Sequence, residues 1–567
     1  MSLKSVKCMW CGKTANENLD KPRSIVGGSE WINLTCGHTL IRDAVRLEGF
    51  EEMVSSDGRS PFPFQIKTAE FAEAANLNYI CAHEMGLGKT VIAALLLKRH
   101  LKEVGRTLIV AKSGLRLQWW HEMFRWPGIL SQIIEGSNEK PDFDLFDVFI
   151  ISADTLRLVH PVLNEEDKIL ADEASKNAEF EQIFGKQTKG RRVKQVKWGP
   201  EILSQFDNLV IDETQLFKNP ASSRTKSLQS AFNLMKFDKD GKAKENPPHV
   251  SGYSGTPFKN YPSEFWVLLN LIRPETFPFH DRFCREHVRY GASGKEVGLR
   301  NPERFHELTK DFIIRFERAE VLPDLPKIFR QFRLAEMEGN FLEVYKRTVK
   351  EFQEFMDIQE KSPNATDLLG WFSRMRHITG MAKVNPAIEF LEEFLLSNNR
   401  KIVIFVHHKE VAKAIMEKLG RIMQEGGFEP PLSLHSGLDM NQRHEIVEAF
   451  KESQNRVMVA SQLAAGEGLN LQFCSDALMV ERQWNPANEE QCEARFPRPG
   501  SEASIVNVWY LIAAGTIDEF LTEIVEQKRA IFQSVMEGKE NQWEDSDLMQ
   551  DLAEVLRVKG LKRFKVK

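Results

Sequence analysis

Short runs of consecutive apolar residues punctuate this chain, each followed by a stretch whose apolar positions recur every three or four residues. In the first half they are TLIVAK (107–112), DVFIIS (147–152), NLVIDE (208–213) and HVSGYSG (249–255). In the second half they are KIVIFV (401–406), PLSLHS (431–436), RVMVAS (456–461), ALMVER (477–482) and IVNVWYLIA (505–513). Runs apolar on both faces suit parallel strands covered by helices, and the repeated order of strand and helix predicts two α/β lobes. Between them, roughly 276–395, FLEVYKRTVKEFQEFMDIQEK and LLGWFSRMRHITG carry helical periodicity without strand signals, which predicts a helical insertion.

This pattern divides the chain into an amino-terminal module (1–48), a first lobe (49–275), a helical insertion or linker (276–395), a second lobe (396–530) and a helical, basic tail (531–567). Two polar inserts interrupt the first lobe. One, within 159–200, contains GKQTKGRRVKQVKWG; the other is the Gly/Pro-punctuated KFDKDGKAKENPP (236–248). The sequence has no internal repeat of fixed period.

Length agrees with such a division, since 567 residues exceed what one core can organise. With 42% apolar and 28% charged residues the chain can bury large cores. No apolar run reaches the roughly 18 residues of a membrane span, and MSLKSVKCMWCGK has no apolar stretch of a secretory signal. The expectation is therefore no membrane association. Seven unevenly spread cysteines read as a reducing compartment, not a disulfide framework. A net charge of −5 does not advertise a polyanionic partner, so nucleic acid has to be argued from local features.

The first such feature is HEMGLGKT (83–90), a glycine turn with a lysine and a threonine directly before an apolar helix. Glycines let backbone N–H groups converge on an anion, and the helix N-terminus adds a favourable dipole. Lys89 would then sit on the β- and γ-phosphates and the Thr90 hydroxyl would ligate Mg²⁺. In the motif G-x-x-x-x-G-K-[ST], Gly88, Lys89 and Thr90 fit, while His83 occupies the first glycine position. A plain helix-start turn is the alternative. NLVIDETQ supplies the second feature, an apolar strand ending in Asp212 and Glu213. Such a pair can place one carboxylate on Mg²⁺ and the next near an attacking water, although carboxylates at strand ends are often merely solvated. Their position at the end of a later strand in the same lobe favours the catalytic reading.

HEMGLGKT, IDETQLFKNPASSRTKSL, YSGTPFKN and ASQLAAGEGLNLQ…WNPANEEQCEARFPRPG resemble, in order, the motifs of Swi/Snf-type ATPases of helicase superfamily two. The last block particularly resembles compact bacterial and bacteriophage members, and the similarity runs from about Phe62 to about Phe520. The resemblance implies two RecA-like parallel-sheet lobes with helical insertions, ATP and Mg²⁺ in the cleft between them, and double-stranded DNA crossing both. It implies that Gln65 reads the adenine edge, that Glu84, Met85, Gly86, Leu87 and Gly88 form the nucleotide loop with Lys89 and Thr90, that Asp212 holds Mg²⁺ through water, and that Glu213 is the general base. Ser254 to Pro257 would couple nucleotide to DNA. From the second lobe, Gln491, Arg495 and Arg498 match the arginine-finger helix, and Gly466, Glu467 and Gly468 would line the same cleft. An amphipathic solvated helix is the other reading of QCEARFPR.

The sequence departs from the family at His83, where an acidic residue is usual, and at Gln215, where a histidine often contacts the other lobe. Pro497 and Pro499 flank Arg498 and could end the finger helix, and Ser501 replaces a glutamine. Backbone-gripping DNA contacts are expected from Lys112, Ser113, Ser152, Arg157, His435, Ser436, Arg443, Ser461 and Gln462, with helix capping as the alternative for Ser113 and Ser152. Six basic residues within 186–197 form an electrostatic candidate, or a solvated loop.

Ahead of the motor, Cys8 and Cys11 (CMWC) with Cys36 and His38 (CGH) offer a Cys₃His set for Zn²⁺, though cysteine is also a small buried hydrophobe. A zinc module there would read forked or branched DNA or a protein partner. The expected protein is thus a monomeric DNA-dependent ATPase that tracks along duplex DNA, in repair, replication or recombination. It would act in the cytoplasm of a bacterial or phage system, or in the nucleus if eukaryotic. A strand-separating helicase and an ATP-gated clamp are the competing functions.

Overall fold

The computed structural model describes residues 49–525 apart from 127, 163–196, 259–260, 292–293, 295, 338, 359–364, 466–468, 484–485, 499 and 524, together with Leu556 and five short amino-terminal strands. Those strands form an antiparallel pair (Val6–Lys7, Thr14–Ala15) and an antiparallel three-stranded sheet (Ser24–Val26, Ser29–Asn33, Thr39–Asp43). Cys8, Cys11, Cys36 and His38 lie outside the described residues, as do Gly466, Glu467, Gly468, Pro499 and nearly all of the 186–197 run.

The chain forms two compact units. The first holds a seven-stranded sheet of β1 (Tyr79–Cys81), β2 (Thr107–Ala111), β3 (Ser131–Ile134), β4 (Val148–Ser152), β5 (Asn208–Asp212), β6 (His249–Tyr253) and β7 (Ile313–Ile314). Every pairing is parallel, in the order β7-β1-β6-β5-β2-β4-β3. The central strands are buried at every position, which is why they read as unbroken apolar runs. Three of its helices matter for the site: α1 (Pro63–Ala74), α2 (Lys89–Val104) and α3 (Arg116–Arg125).

The second unit holds a six-stranded sheet, again parallel throughout. Its strands are β8 (Lys327–Ala335), β9 (Ile402–Val406), β10 (Leu432–Leu434), β11 (Val457–Ser461), β12 (Asp476–Met479) and β13 (Ile505–Ala513), in the order β8-β13-β12-β9-β11-β10. Alternate residues feed opposite faces: Val403 and Phe405 join a core with Phe496 and Tyr510, while Ile402, Ile404 and Val406 join one with Leu391 and Leu419. A third cluster joins helices Gly339–Ile358 and Ala365–Ala382 to Ile517, Leu521 and Leu556.

The helical reading of 276–395 needs correction. Strands Val288–Tyr290 and Glu296–Leu299 form a hairpin there, β7 joins the first sheet, and β8 is an edge of the second. These are short or lie at an edge, and β8, KIFRQFRLA, keeps most of its side chains exposed, so no buried apolar run betrays it. Among the described residues no helix is long and apolar enough to cross a membrane.

Candidate nucleotide site and finger segment

In the first unit, β1 delivers the chain into the 82–88 loop. Gly86 (φ 88°) and Gly88 (φ 66°) turn the backbone through the left-handed region, and α2 starts at Lys89 with Gly88 as its N-cap. A Cβ on Gly88 would meet Gln65 Nε2 at 2.5 Å, so a larger residue would push that amide off its bond to Leu87. Lys89 Nζ donates to the carbonyls of His83 (3.0 Å) and Glu84 (3.2 Å), directing its charge into the loop. Burial lowers the Lys89 pKa, and the nearby Cys81, Glu213 and Asp212 oppose that shift.

Gln65 is buried on α1 with both ends of its amide engaged: Oε1 accepts from Phe62 N (2.9 Å) and Nε2 donates to Leu87 O (3.3 Å). The residue therefore caps α1 and braces the nucleotide loop together. His83 is fully buried. Its Nδ1 accepts from Phe316 N (3.0 Å), which assigns the proton to Nε2, 2.7 Å from Thr68 Oγ1, and Thr68 Oγ1 in turn donates to Phe64 O (2.7 Å). Burial first, then Lys89 and Arg315, push the His83 pKa down to about 3. The position thus holds a neutral ring, tilted against Phe316 (centroids 5.1 Å apart, planes at 39°), where the family usually carries an acid.

At the end of β5, Asp212 is buried and Glu213 sits in the left-handed region (φ 49°, ψ 57°), a strained conformation for a residue with a Cβ. Burial, and then the Glu213 charge, push Asp212 up to about 7, against Trp119 and Lys89. Gln215 Nε2 donates to Glu213 Oε2, and Gln215 Oε1 accepts from Ser254 Oγ (2.6 Å), which in turn accepts from Thr256 N (3.0 Å). Gly255 packs so tightly that a Cβ there would lie 2.9 Å from Met85 Cγ and 3.3 Å from Met85 N. Three sequence segments, 83–90, 212–215 and 254–257, therefore converge at the C-terminal ends of β1, β5 and β6, the edge where open parallel sheets bind ligands. The residues fit a magnesium–nucleotide pair: a glycine cradle, a lysine charge aimed into it, and a buried carboxylate at the strand end.

In the second unit, α4 (Pro486–Glu493) carries Gln491 and is embedded, with Glu489, Cys492 and Glu493 buried. This excludes the solvated amphipathic helix. Arg482 donates twice to Glu489 (3.1 and 2.7 Å) while Arg330 donates twice to Glu493 (2.7 and 2.6 Å), and Tyr510 Oη adds a third bond to Glu493 (2.8 Å). One turn apart, the two carboxylates anchor one face of the helix. Arg495 and Arg498 lie beyond its end, in a turn, not on the helix as the family match implied. Pro497 restricts Phe496 and removes the N–H that would continue the ladder. Ser501 organises this turn: its Oγ donates to Phe496 O (2.9 Å) and accepts from Arg498 N (3.1 Å). Burial, then Arg495 and Arg318, lower the Arg498 pKa, so two neighbouring guanidiniums concentrate positive charge around it.

Of the expected DNA contacts, Ser152 caps the helix Ala153–Val159 through Thr155 N (2.9 Å), and Arg443 is buried on the carbonyls of Leu438 and Ser436. Gln462 is buried and donates to Glu481 O (2.8 Å). His435 and Ser436 are exposed. Sequence reasoning missed Trp119, Arg330, Glu489 and Glu493; only their distant partners give them meaning.

Fold and site together define a class: two parallel-sheet α/β lobes, the first with a P-loop-type cradle and an acidic strand end. The SNF2-related domain model matches residues 52–382 and the helicase conserved C-terminal domain model matches 386–500. The chain belongs to the SNF2-related family of helicase superfamily two. It is 26% identical over 84% of its length to the mouse DNA annealing helicase and endonuclease ZRANB3, covering 41% of that protein. It is 28% identical over 86% of its length to the SWI/SNF-related matrix-associated actin-dependent regulator of chromatin subfamily A-like protein 1 of Xenopus tropicalis, covering 46% of it. An "Uncharacterized ATP-dependent helicase" of Mycoplasma pneumoniae is 25% identical over 82% of the chain and is covered to 41%. The chain thus spans less than half the length of these relatives.

Proposed function

We propose that this chain is an ATP-dependent double-stranded DNA translocase that hydrolyses ATP and remodels DNA in repair, replication or recombination. The observation that carries it is the convergence in the first unit: the Lys89 cradle, Asp212–Glu213 and Ser254–Thr256, joined through Gln215. In this reading the loop from Glu84 to Thr90 binds the phosphates, with Thr90 and Asp212 holding Mg²⁺, which would neutralise charge developing on the phosphates. Glu213 accepts the proton of the attacking water. Arg495 and Arg498 would supply the second lobe's positive charge to the γ-phosphate, with Gln491 as a neutral hydrogen-bonding group beside them. The Cys8, Cys11, Cys36 and His38 set is proposed to hold a structural Zn²⁺ that directs the motor to DNA structures or a protein partner.

The test is ATP turnover with duplex, single-stranded, forked and RNA cofactors, alongside triplex displacement and a labelled forked duplex. Stimulation by duplex and release of the triplex strand alone support tracking. Turnover indifferent to DNA rejects it. The relatives named as annealing helicases make forked DNA with annealing strands the substrate to include.

A further inference from the structure

Nothing in the motif set explains how the Asp212 carboxylate is held. Each of its oxygens accepts one hydrogen bond: Oδ1 from Glu213 N at 2.9 Å, Oδ2 from Trp119 Nε1 at 2.7 Å. Trp119 lies on α3, far from Asp212 in sequence, and is 1% exposed. Its neighbour Trp120 uses the same indole donor on a backbone carbonyl, Ser131 O at 3.1 Å. An ordinary core tryptophan could do the same. Trp119 instead donates its N–H to Asp212, a carboxylate buried at the nucleotide edge of the sheet.

The ring is itself fixed. It stands edge-on to Tyr253 (centroids 6.2 Å apart, planes at 73°), and the Tyr253 hydroxyl pairs with that of Tyr79 at 2.5 Å. Tyr79 opens β1, which feeds the cradle, and Tyr253 immediately precedes Ser254. An indole N–H only donates, so it can orient a carboxylate without offering a metal any lone pair. Partners of this kind, one bond behind a metal-binding group, fix its orientation.

We propose that Trp119 is a positioning residue for magnesium-nucleotide binding, its indole N–H setting the plane of the Asp212 carboxylate. This rests on the reading of the first unit as a magnesium–nucleotide site. The role belongs to the N–H and not to the bulk of the ring.

The experiment measures affinity for a fluorescent non-hydrolysable ATP analogue in EDTA and in saturating Mg²⁺, using the full chain. Trp119→Phe should leave affinity in EDTA within about twofold, while the gain conferred by Mg²⁺ falls about tenfold, the low end of what losing such a partner costs. Replacing Trp119 by benzothienylalanine, which keeps the shape and removes only the donor, should give the same loss even if the phenylalanine variant folds poorly. Adding Trp119→Phe to Asp212→Asn should lower the gain no further than Asp212→Asn alone. An unchanged gain in the benzothienylalanine protein, or additive losses in the double variant, overturns the proposal while the nucleotide site stands. A wild-type protein whose affinity ignores Mg²⁺ overturns both.

Discussion

Ser254 Oγ donates to Gln215 Oε1 at 2.6 Å, tying the turn after β6 to the residue that holds the Glu213 carboxylate. A glutamine suits this place because its amide accepts at one end and donates at the other. Gln215→Leu should break the link while filling the space. We expect nucleotide affinity within about twofold of wild type and duplex-stimulated turnover down by about 10–100-fold, the worth of one buried network bond in rate. Steady-state kinetics with and without duplex check this; equal stimulation in the variant shows the bond is only structural.

Glu213→Gln should bind nucleotide normally yet lose turnover by about 10²–10⁴-fold, the usual contribution of a general base. Single-turnover hydrolysis at saturating nucleotide measures it. A variant that hydrolyses at nearly the normal rate removes Glu213 from the chemistry.

Arg498→Ala should lower turnover by about 10³–10⁵-fold, as arginine fingers do, without weakening duplex binding in the absence of nucleotide. Arg330→Met tests the anchor instead. It leaves the buried Glu493 carboxylate without its guanidinium charge and with the Tyr510 hydroxyl in place, which should cost about 3–5 kcal/mol of stability in the second unit and reduce turnover as well. Urea unfolding and turnover, measured on both variants, separate the two effects: Arg498→Ala should leave stability nearly intact.

His83 gives a pH signature. Its pKa is about 3 in the folded protein and near 6.5 unfolded, so between those values the unfolded chain binds the extra proton. Stability from this residue is therefore complete above about pH 6.5 and is lost as pH falls towards 3, with a slope approaching about 1.4 kcal/mol per pH unit. His83→Gln should lower stability at pH 7.5 yet flatten this acid limb. Urea unfolding at several pH values between 7.5 and 4 checks it, and an equally steep limb in the variant assigns the slope elsewhere.

The lobes were readable because strands such as Val148–Ser152 and Ile402–Val406 are buried on both faces and leave unbroken apolar runs. The cradle was readable because its residues are contiguous and glycine-dependent. Lys327–Ala335 was not, since an edge strand carrying Lys327, Arg330 and Arg333 mixes charge into its pattern. Trp119 looked like one more apolar position of a helix, and its acceptor lies on another strand. Gln65 was expected to meet the nucleotide from the family resemblance alone, and its grip on Phe62 and Leu87 depends on how α1 meets the loop. What periodicity and local motif encode could be read; what depends on two distant segments meeting could not.

Edge strand β8 is where the chain enters the second sheet, and its fourth residue, Arg330, clasps Glu493 two positions ahead of Arg495. The forked clasp therefore ties β8, itself paired along its whole length to β13, to the segment bearing Arg495 and Arg498. One fastening thus serves both the strand that admits the chain to this sheet and the end of α4, so loosening it at Arg330 should disturb both together.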